Sequence, residues 1–390
     1  MPFVLYLLGL AVFAQGMSEF MLSGLIPDIA RDLQVSVPAA GALTSAFAVG
    51  MVVGAPLMAL LSRRWSRRTA LLFFLTVFLL VHVAGALTTS YPLLLVTRVV
   101  AALANAGFLA VALSTAAALA PPGAKGRAAS VLVGGITLAC VAGVPGGALL
   151  GQLWGWRSAF WAVALLSVPA LFAILARVPA GAGDASGTGV RAELRALRAP
   201  RAVLTLLLGA LVNGATFCAF TYLAPLVTEV AGLGEGWVPG VLALFGAGAF
   251  LGSAAGGRLA DRGPVGPLLA AGAVLSAGWV LFAVAAPHPV ALPVLAFVQG
   301  VLSFAVGSAL ISRVLYEATG APNLAGASAT AAFNVGAALG PWLGGIAIAA
   351  SLGYRSPPAV SAVLSALALV VAVAAARVGR PGAVVVEPTR

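Results

Sequence analysis

Residues 177–201 have the sequence RVPAGAGDASGTGVRAELRALRAPR, the one long polar stretch inside this chain. Glycine, arginine and small polar residues dominate the stretch, a composition typical of a flexible linker. The chain on either side of it is apolar and of similar length. We therefore expect two bundles, residues 1–176 and residues 202–376, joined by the 177–201 linker and followed by a cytoplasmic tail at 377–390.

The composition of both halves requires lipid as the surrounding solvent. The 390 residues are 62% hydrophobic and only 8% charged, whereas soluble proteins carry about 25% charged residues. Apolar runs of about 20 residues, the length that crosses a bilayer, recur along the whole chain. We number the predicted runs as spans 1 to 12: 3–26, 38–61, 69–88, 92–119, 128–153, 158–176, 202–226, 236–258, 265–286, 289–312, 323–350 and 356–376. The predicted fold class is an all-α membrane protein with twelve transmembrane helices.

The positive charges predict the orientation of these spans. If both termini are cytoplasmic, seventeen of the 21 Lys and Arg residues fall on the cytoplasmic face, three fall on the outer face, and Arg98 lies inside span 4. Such a bias is the positive-inside pattern of membrane proteins. It predicts a multi-pass protein of the cytoplasmic (inner) membrane. It also argues against a nucleic-acid partner, because the net charge of +11 is spread over short loops.

The two halves are repeats of one another at an offset of 198 residues. Matched positions include Pro27 and Pro225, Arg64 and Arg262, and Gly155-Trp156-Arg157 with Gly353-Tyr354-Arg355. A shift of six spans is even, so both halves have the same orientation in the membrane. This predicts two parallel six-helix repeats around a central cavity, with a substrate site near the bilayer midplane.

Glycines four residues apart form ladders in spans 2, 5, 8 and 11, which are repeat partners. The ladders are Gly50 and Gly54; Gly143, Gly147 and Gly151; Gly248, Gly252 and Gly256; and Gly336, Gly340 and Gly344. Small residues at this spacing permit ordinary close packing of helices. Because they fall only on repeat-partner spans, we favour a second interpretation, in which they form smooth surfaces along which two moving halves slide.

Glu19 in span 1 and Arg98 in span 4 are the ionisable candidates deep in the apolar runs. Such residues are costly in lipid and are functional candidates by default. Both lie about 10 Å below the outer surface, counted at 1.5 Å per residue. One interpretation is a static ion pair that joins spans 1 and 4. The other is a functional role, in which Glu19 exchanges protons or meets the substrate while Arg98 modulates it.

Other polar and aromatic residues follow stripes on spans 1, 4, 7, 10 and 11. An amphiphilic ligand with an aromatic ring would suit a cavity with these groups. For each aromatic residue, packing against core or lipid is the simpler interpretation. The candidate cavity residues are Gln15, Ser23, Asn105, Asn213, Phe217, Phe220, Thr221, Gln299, Ser303 and Asn334.

Several short motifs carry a family resemblance. After span 8, Gly257-Arg258-Leu259-Ala260-Asp261-Arg262 resembles the Gly-x-x-x-Asp-Arg gating loop of the major facilitator superfamily. The loop after span 2 keeps only Arg64, Arg67 and Arg68 of that pattern. Arg98 matches an arginine that the family places in helix 4. The helix 5 exporter motif is matched, in a variant spacing, by Gly143, Pro145, Gly146 and Gly147.

The resemblance is specifically to the twelve-helix drug:proton antiporters, and within them to the chloramphenicol resistance exporters of actinomycetes. It rests on Ser18-Glu19-Phe20, the run 101–107 and the run 155–161. The resemblance implies that spans 1, 4, 7 and 10 line the central cavity. It implies proton-coupled export of a small drug, chloramphenicol, by alternating access. We expect a drug and a proton as ligands, no cofactor, no metal and a monomer.

Alternative functions remain within and outside transport. An exporter of sugars, nucleosides or another natural product, or an importer, would share this fold. A primary pump would need a P-loop, and Lys125 lacks the required spacing. An intramembrane enzyme would need a catalytic constellation, and His82 and His288 stand alone in sequence. A fixed-pore channel fits two repeats with glycine ladders less well than rocking halves do.

Overall fold

The structure is a computed structural model that describes residues 3–61, 65–119, 131–132, 134–136, 138–179, 199–261, 265–317 and 324–378. Within these ranges twelve helices are long and apolar enough to cross a membrane, which confirms the twelve predicted spans. The regular helices are Phe3–Phe20, Ile26–Asp32, Val37–Leu61, Arg67–Leu87, Tyr91–Leu119, Val144–Trp154, Arg157–Arg177, Pro200–Thr221, Val238–Asp261, Val265–Ala285, Ala291–Glu317, Leu324–Ala349 and Ser356–Val378.

The helix bounds repeat between the two halves. The span 3 helix Arg67–Leu87 and the span 9 helix Val265–Ala285 begin and end at positions 198 residues apart. The buried apolar side chains form two clusters. One lies entirely between residues 4 and 178, and the other belongs to the second half with a few first-half residues added. The exact bundle boundaries stay a prediction, because residues 180–198 lie outside the described part of the chain.

Spans 1 and 7 both lose regular helix geometry near their outer ends. In span 1 the α-helix ends at Phe20 and continues as a 3₁₀ turn, Met21–Gly24. In span 7 it ends at Thr221, and a π-helical turn occupies Leu226–Val230. Proline within or next to these stretches cannot donate a backbone hydrogen bond, which favours such interruptions. The irregular stretch of span 1 therefore begins directly after Glu19 and Phe20.

The glycine ladders pack inside each half, so our sliding-surface prediction is wrong. A Cβ on Gly50 would meet Ala102 and Val99 of span 4, and one on Gly147 would meet Met21 of span 1. In the second half the ladders of spans 8 and 11 meet backbone atoms of spans 10 and 7. The spans that carry ladders are repeat partners because each half uses them for the same internal packing. Ordinary close packing explains them.

The outer ends of the two halves are in contact. A Cβ on Gly24 would meet both Ala148 of the first half and Leu242 of the second. At the surface Arg31 lies 3.7 Å from the carboxylate of Glu235, and the Gln152 side chain donates to the Glu235 carbonyl oxygen. The two halves therefore touch each other at this end of the bundle.

Candidate functional site

Arg98 is the centre of a buried polar network in the first half. Its side chain is almost fully buried, at 1% exposure. Nη1 donates to the Ser18 hydroxyl at 2.8 Å, and Nη2 donates to the Ser18 carbonyl at 2.6 Å. The guanidinium carbon lies 4.5 Å above the ring of Phe47, a cation–π distance. Arg98 therefore ties span 4 to span 1 at the residue that precedes Glu19.

His82 of span 3 extends this network. Its Nε2 lies 2.6 Å from the Ser18 hydroxyl oxygen, and its Nδ1 lies 2.6 Å from the Phe78 carbonyl oxygen. A carbonyl only accepts, so Nδ1 must carry a proton. Ser18 accepts from Arg98 and has one proton to donate, so Nε2 of a neutral His82 is its natural acceptor. Arg98 then donates to the Ser18 hydroxyl, Ser18 donates to His82, and His82 donates to the carbonyl oxygen of Phe78.

Glu19 is half-buried and has no ion pair with Arg98 in this conformation. In the described part of the chain, the carboxylate–arginine pairs within 4 Å are Arg31 with Asp28 and Glu235, and Arg157 with Asp32. The static ion pair between spans 1 and 4 is therefore not present here. Spans 1 and 4 are joined instead by the two hydrogen bonds from Arg98 to Ser18.

Phenylalanine rings connect the two halves beside Glu19. Phe20 of span 1 stacks on Phe217 of span 7, with ring centroids 5.8 Å apart. From Phe217 the contacts continue through Phe220 and Phe245 to Phe304. We call these five residues the aromatic cluster. A narrow apolar cavity lies among them, with Val144 and Thr216 also in its wall.

Some of the predicted cavity residues make hydrogen bonds within their own half. The amides of Asn213, Asn334 and Gln299 donate to the carbonyls of Phe333, Thr330 and Leu275, at 2.7, 3.0 and 3.3 Å. Asn105 donates to the sulfur of Met51 at 3.5 Å. The structure thus brings Phe217 and Phe220 together with Phe20. The amides of Asn105, Asn213 and Gln299 contact other helices of their own bundles, and that of Asn334 contacts its own helix.

The remaining predicted cavity residues are buried, and some have polar atoms without a partner. Both amide atoms of Gln15 and the hydroxyls of Thr221 and Ser303 make no hydrogen bond in the described structure. Ser23 is also buried, at 2% exposure. Buried polar groups usually have partners in water or protein. The polar atoms of Gln15, Thr221 and Ser303 therefore have unused hydrogen-bonding capacity.

The described part of the cytoplasmic gating loops is limited to their ends. Arg67 and Arg68 begin the span 3 helix, where the Ser66 hydroxyl caps it by accepting from the Thr69 amide at 3.1 Å. Gly257 and Asp261 belong to the last turns of the span 8 helix, with side chains outside the description. Arg64 and Arg262 lie outside the described residues, so the charged gate stays a prediction.

The helix 5 motif contains a change of helix type. A π-helical turn, Ala139–Gly143, precedes the α-helix that begins at Val144, with Pro145 in its first turn. Gly143 and Gly147 face Met17 and Met21 of span 1, while a Cβ on Gly146 would meet nothing within 4 Å. Part of this motif thus contacts the span that carries Glu19.

Sequence reasoning missed Ser18, His82, Phe20 and Phe47. We treated Glu19 and Arg98 as the ionisable residues of the apolar runs, although His82 lies inside span 3 and forms part of the same network. A histidine within a transmembrane run is itself a signal for function. Nothing in the sequence alone pairs it with Ser18, 64 residues earlier.

Comparison with known proteins assigns the family. The Major Facilitator Superfamily pattern matches residues 8–274 and 236–390. The chain is 58% identical to a chloramphenicol resistance protein of Streptomyces lividans, over 95% of this chain and 96% of that one. It is 36% identical to the inner membrane transport protein YdhP of Escherichia coli K12, over 95% of each chain.

A solved structure shows the same fold. A bacterial homologue of the human lysosomal transporter Spinster, inward-facing and occupied, superimposes with a TM-score of 0.79 at 18% identity over 96% of each chain. The predicted fold and the family resemblance are thereby confirmed. The chain belongs to the major facilitator superfamily, and it is a multi-pass membrane efflux transporter and not an enzyme.

Proposed function

We propose that this transporter exports chloramphenicol in exchange for protons and thereby confers resistance to the drug. The observation that carries the proposal is the adjacency of Glu19 and Phe20. Glu19 is a half-buried carboxylate without an ion pair, and Phe20 belongs to the aromatic cluster that joins the two halves. Glu19 can exchange a proton, and Phe20 can contact an aromatic ring. The two are consecutive residues at the point where span 1 loses regular helix geometry.

The local chemistry supports coupling between proton and drug. Arg98 is held by Ser18 in this conformation. A rearrangement of span 1 beyond Phe20 would change the distance between Glu19 and this cation, and with it the proton affinity of the carboxylate. Because the ring contacts of Phe20 cross to span 7, opening the outer side would change the drug site at the same time. Both events then depend on one movement.

The drug is proposed from the relative's name and from the composition of the site. The Streptomyces lividans relative is named for chloramphenicol resistance, and chloramphenicol has an aromatic ring and a polar hydroxyl and amide chain. The aromatic cluster would take the ring. The unpartnered groups of Gln15, Thr221 and Ser303 supply donors and acceptors for the polar chain. An apolar wall with a few polar groups is the usual composition of a small-molecule site.

Resistance and energy coupling can be tested in one host. The chain is expressed in a susceptible, efflux-deficient bacterium, and inhibitory concentrations are measured for a panel of antibiotics with and without a protonophore. We expect a selective increase for chloramphenicol that the protonophore abolishes. Glu19→Gln should lose the increase at equal membrane abundance, whereas Glu229→Gln, an exposed carboxylate of span 7, should keep it. Full resistance from Glu19→Gln would exclude this residue, and an increase for another compound class instead would point to the sugar, nucleoside or natural-product alternative.

The orientation is part of the proposal. We propose a cytoplasmic-membrane location with both termini and the 177–201 linker inside the cell, between bundles at 1–176 and 202–376. Accessible tags placed in the linker and at 63–68 should map to the same, cytoplasmic face. Tags on opposite faces would contradict the arrangement of two parallel repeats. Size measurement in detergent tests the expected monomer.

A further inference from the structure

The second half contains a mostly apolar cavity. It lies among spans 7, 9, 10 and 12 and has a volume of about 680 Å³. Along span 7 its wall extends from Arg201 to Val212. Eleven residues of helix cover about 16 Å, close to half of a hydrocarbon core about 30 Å thick. In the proposed orientation the cavity therefore spans one leaflet, the cytoplasmic one.

Two positions of the cavity wall have smaller side chains than their counterparts in the first half. At the offset of 198, Phe74 and Phe108 of the first half correspond to Gly272 and Val306, which line the cavity. Both phenylalanines are buried in the core of the first half, at 1% and 0% exposure. The second half therefore leaves more space at these two positions of the wall.

The lining decides what can occupy this space. Leucine, valine, alanine and glycine form most of it. The hydroxyls of Thr205 and Ser365 already donate to carbonyls of their own helices, at 3.0 and 2.9 Å. Water needs several polar partners and is a poor occupant of an apolar cavity. Protein interiors do not normally leave such volumes unfilled, so an apolar chain is the best occupant.

The charged residues of the lining lie at its cytoplasmic end. Arg201 is the second residue of the span 7 helix, and Arg313 lies in the last turns of the span 10 helix. Both line the cavity. Guanidinium groups bind phosphate through charge-assisted hydrogen bonds. Basic pockets between transmembrane helices on the cytoplasmic side are suited to anionic lipid head groups.

We propose that this cavity binds an anionic phospholipid of the cytoplasmic leaflet. One acyl chain lies between spans 7, 9, 10 and 12, and the phosphate contacts Arg201 and Arg313. The site is separate from the aromatic cluster at the interface of the halves. The acyl chain would fill the space beside Gly272 and Val306.

Native mass spectrometry of the purified transporter in detergent tests this proposal. After delipidation, the protein is mixed with equal amounts of phosphatidylglycerol and phosphatidylcholine of the same chain length. We expect a 1:1 complex that prefers phosphatidylglycerol at least about tenfold, because two charge-assisted contacts are involved. The double variant Arg201→Gln/Arg313→Gln should lose this preference. Arg177→Gln, at the cytoplasmic end of span 6, is the matched control and should keep it.

A cavity-filling variant tests the acyl chain separately. Gly272→Phe introduces the residue found at the first-half counterpart, and its Cβ would meet only Leu369 at an ordinary 3.6 Å. It should reduce retention of both lipids while the protein stays folded. If Gly272→Phe does not fold, the arginine variants decide alone. No preference in the native sequence, undiminished binding in the variants, stabilisation by inorganic phosphate alone, or displacement of the lipid by chloramphenicol would each overturn the proposal.

Discussion

At the scale of single residues, the first half is organised around an arginine that binds backbone as well as side chain. Arg98 donates to the hydroxyl and the carbonyl of Ser18, and His82 accepts the proton of that hydroxyl. A neutral histidine is required, because a protonated one would compete with Arg98 for the same oxygen. In the described structure Arg98 thus pairs with Ser18 and not with Glu19.

Removing the acceptor at position 82 should destabilise the transporter. His82→Phe keeps an aromatic ring near Phe78 and Phe160 but leaves the buried Ser18 hydroxyl without an acceptor, at a cost of about 1–3 kcal/mol. His82→Gln offers a side-chain oxygen and should lose less. The midpoint of thermal unfolding in detergent measures both. Equal midpoints for the two variants would show that the hydrogen bond from Ser18 contributes nothing.

At the scale of helices, the Gly-aromatic-Arg repeat has the same task in each half. Gly155 and Gly353 have positive φ angles of 78° and 73°, which suit glycine. The arginine that follows each turn donates to carbonyls at the end of the third helix of its half: Arg157 to Thr88, and Arg355 to Ala283 and Val284. Cations at a helix C-terminus are favourable. The motif therefore connects span 3 to the turn before span 6, and span 9 to the turn before span 12.

Acid should weaken the ion pair between Arg157 and Asp32. The hydrogen bond from Arg157 at 2.5 Å, with that from Trp156 at 3.2 Å, holds the pKa of Asp32 below its ordinary 3.8. Its contribution is complete above pH 3.8 and is lost as the pH falls through the lowered pKa. Asp32→Asn should lower the unfolding midpoint at pH 6, and the difference should shrink as the pH falls below 3.8 and through the lowered pKa. A difference that is independent of pH would contradict this.

The glycine ladders should tolerate no side chain. A Cβ on Gly252 would overlap the carbonyl of Val301 in span 10, which is backbone and cannot rotate away. Gly252→Ala should therefore cost about 1–3 kcal/mol through overpacking. Gly240→Ala in the same helix is the control, because a Cβ there meets nothing within 4 Å. Unfolding midpoints of the two variants should differ clearly, and equal values would contradict the packing described here.

Sequence patterns predicted what was local and missed what depends on partners in space. Apolar run length predicted all twelve spans. The four-residue spacing of Gly248, Gly252 and Gly256 showed a smooth surface, but spacing carries no information about the helix it meets. His82 and Ser18 are likewise far apart in sequence. Phe217 and Phe220 were predicted as cavity residues, whereas Phe20 was missed because its partner lies in the other half.

At the scale of the whole molecule, Tyr222 is a contact between the two halves, at the end of the bundle that the proposed orientation places outside. It is fully buried, and its hydroxyl donates to the carbonyl of Pro341 in span 11 at 2.9 Å. Gly41 of span 2 and Gly345 of span 11 leave the room that its ring occupies. Tyr222 of span 7 thus contacts span 11 of its own half and span 2 of the first half.

Enlarging Gly41 should therefore open the outer side. Gly41→Leu would collide with Tyr222, which is fixed by its hydrogen bond to Pro341, so the halves must separate. Thr216, buried in the aromatic cavity, serves as reporter when replaced by cysteine in a background without Cys140 and Cys218. A membrane-impermeant maleimide added outside should label Thr216→Cys faster with Gly41→Leu. Gly236→Leu, in an open outer turn, should leave labelling unchanged, and equal rates for both would contradict a role for Tyr222.

The anchoring of Arg98 on Ser18 has an evolutionary consequence. One of its two hydrogen bonds ends on a main-chain oxygen, which every amino acid supplies. A substitution at position 18 can remove the hydroxyl contact, but it leaves the main-chain acceptor in place. A homologue without a hydroxyl at position 18 would still bind its arginine to span 1 through this main-chain oxygen.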